Sequence, residues 1–302
     1  MSLLPKLSLA TKRKLEPWLL LAPAIICVVA YLIYPIIDNI YISFMDYSLI
    51  RPKDIKFNGL ENYIKLYSSN DFKLVLKNSL VWVITIVSVQ AIMGMILAVL
   101  LNRQFPGKNV VQSIVFTPWA VAGFLIGLIF RWIFNEQNGI LNHVLMNMGL
   151  MDKPYAWLAE PSTVMIAPIL GMIWYGIPFF AIMFLAALQS IPKETIEAAA
   201  LDGVTPTQRF FKIDLAYIKP TIITTILLRC IWVFNSSDII YVMTGGGPAN
   251  SSSTLPLFAF QQSHGRLDFG YGAAISNTIT VILLIYALIY LRATKYSEAG
   301  DF

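Results

Sequence analysis

The chain is poor in the residues from which catalytic and metal sites are made. Its 302 residues include two histidines and two cysteines. His143 and His264 fall in separate polar stretches and give no metal-ligand spacing. Cys27 and Cys230 lie within long apolar runs and suggest no disulfide framework. No G-x-x-x-x-G-K-[ST] phosphate loop occurs, so this chain does not hydrolyse ATP itself. Gly245-Gly246-Gly247-Pro248 imitates a phosphate cradle but lacks the lysine, and reads as a tight turn leaving an apolar run. Neither a G-x-S-x-G elbow nor an H-E-x-x-H helix is present, which disfavours a membrane-embedded hydrolase. No catalytic residue, metal site or cofactor is expected on this chain.

Charge is also scarce. Charged residues make up 13% of the chain and hydrophobic ones 57%, too apolar for an ordinary soluble domain. Six runs are long enough to cross about 30 Å of hydrocarbon as helices. They lie at 18–43, 78–101, 110–134, 163–189, 219–243 and 271–291, punctuated by Pro23, Pro35, Gly94, Pro118, Gly171 and Pro178. Membrane helices tolerate such residues where neighbours satisfy the freed backbone groups. The fold class expected is an all-α polytopic membrane protein with six transmembrane helices. Lys12–Lys14 before the first run could begin a secretory signal, but no small-x-small cleavage site follows and the run exceeds a signal core, so it counts as a span.

Six spans put both termini on one side. That side carries twelve lysines and arginines, including Lys6, Lys12, Arg13, Lys14, Lys193, Arg209, Lys212, Lys219 and Lys295. The opposite loops carry nine, spread over longer segments beside Asp46, Asp54, Glu61 and Asp71. The bias places both termini, and the polar loop at 191–218, in the cytoplasm. The net charge of +5 is then a matter of topology and gives no argument for nucleic acid.

That loop reads as two helices. Pro192 suits a first helical turn, and Glu194 and Glu197 complement its dipole. Ala198-Ala199-Ala200 makes a small surface that lets another backbone come close, and Asp202-Gly203 is a helix stop. A second helix begins near Thr205-Pro206 and carries Phe210 and Phe211. A solvated linker, the competing reading, has no need of either face.

Glu197-Ala198-Ala199, then Gly203, then Ile213 and Leu215 resembles the EAA loop of ABC importer permeases. Ala216 stands where that pattern has proline, which puts the break between the second coupling helix and the fifth span in doubt. Further landmarks are similar to the maltose and glycerol-phosphate branch. They are Ser43-Phe44-Met45-Asp46-Tyr47, Gly59-Leu60-Glu61-Asn62-Tyr63, Asn78-Ser79-Leu80, Phe116-Thr117-Pro118-Trp119, Gly139-Ile140-Leu141-Asn142, the Gly245 turn and Gly270-Tyr271-Gly272-Ala273-Ala274. The resemblance covers residues 17–293.

It implies the type I ABC importer permease fold, with a cytoplasmic segment at 1–17, a permease domain at 18–293 holding the coupling loop at 191–218, and a cytoplasmic tail at 294–302. It implies a second homologous permease, an ABC ATPase dimer that holds ATP and Mg, an extracytoplasmic solute-binding protein, a sugar cargo and surrounding membrane lipid. The setting is a bacterial or archaeal cytoplasmic membrane. The outer loops at 134–162 and 244–268 would receive the binding protein. ATPase coupling would fall to Glu194, Glu197, Ala198, Ala199, Asp202, Gly203 and Phe210.

Arg229 carries most of the information on cargo. It lies ten residues past Lys219, about 15 Å into the membrane, with no acidic residue of the chain at its depth. An arginine there costs roughly 2.5–3.5 kcal/mol on insertion scales, so it should face water, a partner or a ligand. Thr225, Arg229, Trp232 and Ser236 share one helical stripe suited to a sugar. The resemblance extends the substrate site to Tyr175, Gly176, Phe179, Arg229, Trp232, Val233 and Ser236. Arginine's bidentate fit to carboxylate and phosphate widens the cargo to acidic sugars: uronates, sialic acid or sugar phosphates. The competing reading makes the aromatics interhelical packing and pairs Arg229 with the second permease. An ion-coupled carrier or channel free of any ATPase is the alternative class; it calls for an internal repeat or midplane carboxylates, and neither is evident.

Overall fold

The computed structural model describes residues 9–294. Residues 1–8 and 295–302, and the side chains of Lys12, Arg13 and Lys14, lie outside the described residues, so the expected terminal segments are seen only where helix α1 (Leu9–Val28) enters the first of them. The chain divides into two compact units.

The first unit takes the chain to Leu66 together with Gln261–Asn277. Helix α1, a π-helical turn at Val29–Ile33 and α2 (Tyr34–Ile42) form one apolar helix, Pro17–Ile42, close to the expected first span. An antiparallel pair, β1 (Met45–Asp46) with β2 (Lys56–Phe57), follows, and α3 (Glu61–Ser68) then begins. The landmark residues here form one polar knot. The Asn62 amide donates to the carbonyls of Ser43 and Met45 at 3.0 and 2.9 Å, and the hydroxyls of Ser43 and Tyr63 meet at 2.8 Å. Gly270 packs so tightly on the Met45 carbonyl that a Cβ there would overlap it.

The second unit comprises Tyr67–Phe260 and the chain from Thr278 onward. Its helices are α4 (Asn70–Asn102), α5 (Lys108–Phe116), α6 (Gly123–Ile133), α7 (Ile140–Asn147) and α8 (Ile166–Gln189). They continue as α9 (Lys193–Leu201), α10 (Pro206–Arg209), α11 (Leu215–Asn235), α12 (Asp238–Thr244) and α13 (Leu255–Phe260), with the end of α14 (Phe269–Ala293). The core sits between α4, α8, α6 and α12, around Trp82, Ile86, Ile126, Phe180, Phe184, Ile239 and Ile240. Gly94 lets α4 lie directly on α8, since a Cβ there would overlap Phe180. Small residues permit this approach in a membrane, where no water drives helices together.

Among the described residues five helices are long and apolar enough to cross a membrane, six if one bent pair is a single span. The expected span at 110–134 is this bent pair. Lys108–Ala120 and Gly123–Ile133 meet at 94°. The Thr117 hydroxyl bonds back to the Ser113 carbonyl at 2.8 Å, Pro118 brings no N–H, and the chain leaves a 3-10 turn at Thr117–Ala120 through extended Val121. The expected span at 219–243 is also broken, at Ser236–Ser237, between α11 and α12. Trp82 packs at that break: its indole N–H donates at 2.9 Å to the Val233 carbonyl, which also accepts the Ser236 N–H at 3.2 Å.

Asn78 ties α4 to the turn after α12. Its amide nitrogen faces the carbonyls of Asn250, Ser251 and Ser253 at 3.0, 3.1 and 3.1 Å, while the Ser79 hydroxyl accepts from the Leu255 N–H at 2.8 Å. Asn78→Asp sets a carboxylate against three carbonyls. The expected loss is about 3 kcal/mol, seen as a lower melting temperature in detergent and lost hydrogen-exchange protection over 249–255. Unchanged protection there would discard the latch.

Candidate functional sites

The polar loop folds as two capped helices. Pro192, expected inside the first turn, is the residue before α9, and Glu194 lies in the first turn. The end of α9 is a Schellman turn. Gly203 has φ +74°, its N–H donates to the Ala200 carbonyl, and that of Val204 donates to the Ala199 carbonyl, both at 3.1 Å. A capping box starts α10: the Gln208 backbone N–H reaches the Thr205 hydroxyl at 3.3 Å and the Gln208 side-chain Oε1 accepts the Thr205 backbone N–H at 3.1 Å.

Two expectations for this surface need correction. Ala199 is buried, because the face of α9 that carries Ile196 turns inward, so only Ala198 and Ala200 present the small surface. Phe210 lines an apolar groove with Ala91, Met95, Phe184 and Ile226, while Phe211 points outward at 64% exposure. Leu201, unremarked in the sequence, is 90% exposed. Glu194, Glu197, Asp202 and Gly203 are exposed as expected. The doubt raised by Ala216 is also resolved. Without a proline there the chain runs on through a π-helical turn, Phe210–Asp214, straight into α11. The Arg209 guanidinium stands 3.4 Å from the buried Asp214 carboxylate within that turn.

The second site lies where α4, α8 and α11 meet. Arg229 is 3% exposed and has no ion pair among the described residues. Its Nε donates to the Gln90 Oε1 at 2.9 Å, and Gln90 in turn donates through Nε2 to the Met172 carbonyl. The guanidinium carbon lies 5.8 Å from the Tyr175 ring centroid and 5.5 Å from that of Phe179, within cation–π range. Gly176 makes room for both polar groups, since a Cβ there would overlap the Arg229 and Gln90 side chains. One terminal nitrogen, Nη2, is buried without an acceptor.

Tyr175, Gly176, Phe179 and Arg229 are thus brought together, and Trp232 joins them through the Phe179 ring at 5.4 Å. Val233 and Ser236 are not. The Val233 side chain is fully buried in the core. Ser236 has left the helix, with ψ 121°, and its hydroxyl donates to Asp238 Oδ1 at 3.1 Å. The polar run Asn235-Ser236-Ser237-Asp238 breaks the stripe because such side chains offer the backbone competing partners. Within the chain Arg229 faces a neutral amide, that of Gln90. Gln90 was legible as the only glutamine in the run at 78–101, but only packing reveals the pair.

A family model described as binding-protein-dependent transport system inner membrane component matches residues 90–295. The sulfoquinovosyl glycerol transport system permease of Agrobacterium fabrum is 35% identical over 280 residues, spanning 93% of this chain and 90% of the relative. The trehalose/maltose transport system permease of Thermococcus litoralis is 32% identical over 280 residues, spanning 92% and 93%. In fold, the chain superimposes on a subunit of a bacterial ABC transporter involved in the import of the acidic polysaccharide alginate. The TM-score is 0.83 at 21% identity, over 94% of this chain and 96% of that one.

Proposed function

This chain belongs to the family of binding-protein-dependent transport system inner membrane components, and from that premise we propose that it forms half of the membrane pathway of an ATP-driven sugar or oligosaccharide importer. It is a multi-pass transport subunit and not an enzyme, with ATP hydrolysis left to a separate chain. Residues 18–293 form the permease domain. A second permease completes the pathway, an ABC ATPase pair grips the loop at 191–218 from the cytoplasm, and a solute-binding protein docks on the outer loops at 134–162 and 244–268. Both termini then lie in the cytoplasm. The carrying observation is the loop itself, two capped helices that leave Leu201 and Phe211 uncovered. Exposed large apolar side chains beside charges mark a protein contact.

The mechanism is alternating access by rigid bodies. Nucleotide closes the ATPase pair, α9 and α10 are drawn with it, and the unbroken path from α10 through the π-helical turn into α11 carries the displacement to the depth of Arg229. The test is uptake of labelled trehalose and of a labelled uronic-acid disaccharide by proteoliposomes holding the complete complex and its binding protein. Nucleotide-dependent uptake of either is expected. Uptake driven by an ion gradient without ATP would overturn the reading.

An acidic cargo has one specific observation in its favour, the acceptor-free nitrogen of Arg229, and one relative, named for sulfoquinovosyl glycerol. Movement of α8 against α11 would expose that nitrogen. Arg229→Gln is expected to lower uptake of the uronic disaccharide by about tenfold and to spare trehalose. If uronate uptake held while Trp232→Ala abolished it, charge recognition by Arg229 would be ruled out.

A further inference from the structure

Two of the helices in the second unit are broken, and the breaks meet. The 3-10 turn Thr117–Ala120 precedes α6, and Ser236–Ser237 precedes α12. Asp238, the first residue of α12, lies with its carboxylate against Gly123, the first residue of α6, where a Cβ would overlap Oδ2. Four residues on, Gly127 keeps the two helices in contact, since a Cβ there would come within 3.2 Å of Val242 Cβ and 3.3 Å of the Ile239 carbonyl. Arg131 closes the pair by donating to the Val242 carbonyl at 3.1 Å. Trp119 in one break and Trp232 just before the other are therefore held by one joint.

Both indoles lean on the same buried ring. Trp119 is 6.0 Å and Trp232 5.4 Å from the Phe179 centroid, and the two are 44% and 50% exposed. They differ from the indoles that serve packing in this chain. Trp82 is fully buried and donates to the Val233 carbonyl, and Trp157 donates to Asn142 at 2.7 Å. Neither Trp119 nor Trp232 has an acceptor for its N–H among the described residues. An open aromatic face beside a free N–H donor matches the two halves of a pyranose: a C–H face and a rim of hydroxyl oxygens.

We propose that Trp119 is a carbohydrate-stacking residue, forming with Trp232, across Phe179, a two-indole clamp for a sugar ring. Asp238 and Gly123 position it and do not touch the ring. The clamp rests on the sugar-importer reading but is independent of cargo charge, because stacking requires only the ring. It adds the bent helix pair α5–α6 to the elements that read the solute.

The test uses the complete complex in proteoliposomes with Cys27→Ser, Cys230→Ser and Trp119→Cys. The thiol at 119 is expected to react with the charged, water-soluble reagent MTSES. Maltose or an alginate trisaccharide, one neutral and one acidic probe, is expected to slow that reaction by about fivefold or more. Reaction only with a lipid-dissolved maleimide, or a rate unmoved by both sugars, would overturn the clamp. A second arm measures uptake of whichever probe protects. Trp119→Ala is expected to raise KM by about tenfold and Trp119→Phe, which keeps a stacking face, by no more than about twofold. A Trp119→Ala complex with the KM of the parent also overturns it. Failure of the importer reading is told apart, since it would show as no nucleotide-dependent uptake by the parent complex while aqueous reactivity at 119 is still read.

Discussion

Replacing Glu197 with arginine is expected to strip the ATPase from this subunit and abolish nucleotide-driven uptake, while leaving the subunit folded. Glu197 is exposed on α9 and forms no ion pair with any described residue, so the change should alter stability by no more than about 0.5 kcal/mol. At a protein contact the same charge reversal costs about 2–5 kcal/mol, a loss of roughly thirty- to several-thousandfold in affinity. Gly203→Trp approaches the same surface by shape. Among the described residues other than its chain neighbours, nothing lies within 4 Å of a Cβ at 203, so the indole has room in the isolated subunit and would clash with something docked there. The left-handed backbone, φ +74°, adds about 1–2 kcal/mol of local strain at the end of α9. The readouts are co-purification of the ATPase, uptake, and the melting temperature of the subunit. An ATPase that stays bound through both changes, with uptake intact, would move the coupling contact elsewhere.

Gly176→Ala is the second large effect, and it probes the buried cluster. One methyl group there enters the space of the Arg229 guanidinium and the Gln90 amide. Overpacking of this kind costs about 1–3 kcal/mol, and displacing Arg229 also breaks its bond to Gln90. The obstacle is the end of two flexible side chains, so the damage should be reversible. Gly176→Ala combined with Arg229→Ala is expected to recover at least about 1 kcal/mol relative to the sum of the single changes, read as thermal stability in a double-mutant cycle. Strict additivity would mean that Gly176 is needed for some other reason.

The class of the fold was plain from apolar runs of bilayer length, and so was the polar two-helix loop at 191–218, because a charged, capped segment stands out in an apolar chain. The helix stop at Asp202-Gly203 and the start at Thr205-Pro206 were legible for the same reason: caps are local chemistry. Facing was not. Ala199 and Phe210 have the right residue types for a docking surface, yet one packs inward and the other lines a groove. Period alone cannot choose a face where apolar residues lie on both sides of a helix. The breaks at 117–122 and 236–237 were hidden by the same uniformity. A hydropathy run records how much is apolar and is blind to a bend that neighbours such as Trp82 pack against.

By itself the sequence determined that this is a multi-pass helical transport subunit with one capped polar loop between two apolar runs. Composition, span length and caps are properties of short segments, so no tertiary contact was needed to decide them. Only the tertiary structure decided that the Nε of Arg229 bonds to Gln90 from a helix more than a hundred residues earlier, that Ser236 leaves its stripe, and that Trp119 shares a ring with Trp232. A buried polar group must find its partner in space, and in an apolar bundle that partner is fixed by which helices come close enough to touch, which here depends on glycines at 94, 123, 127 and 176.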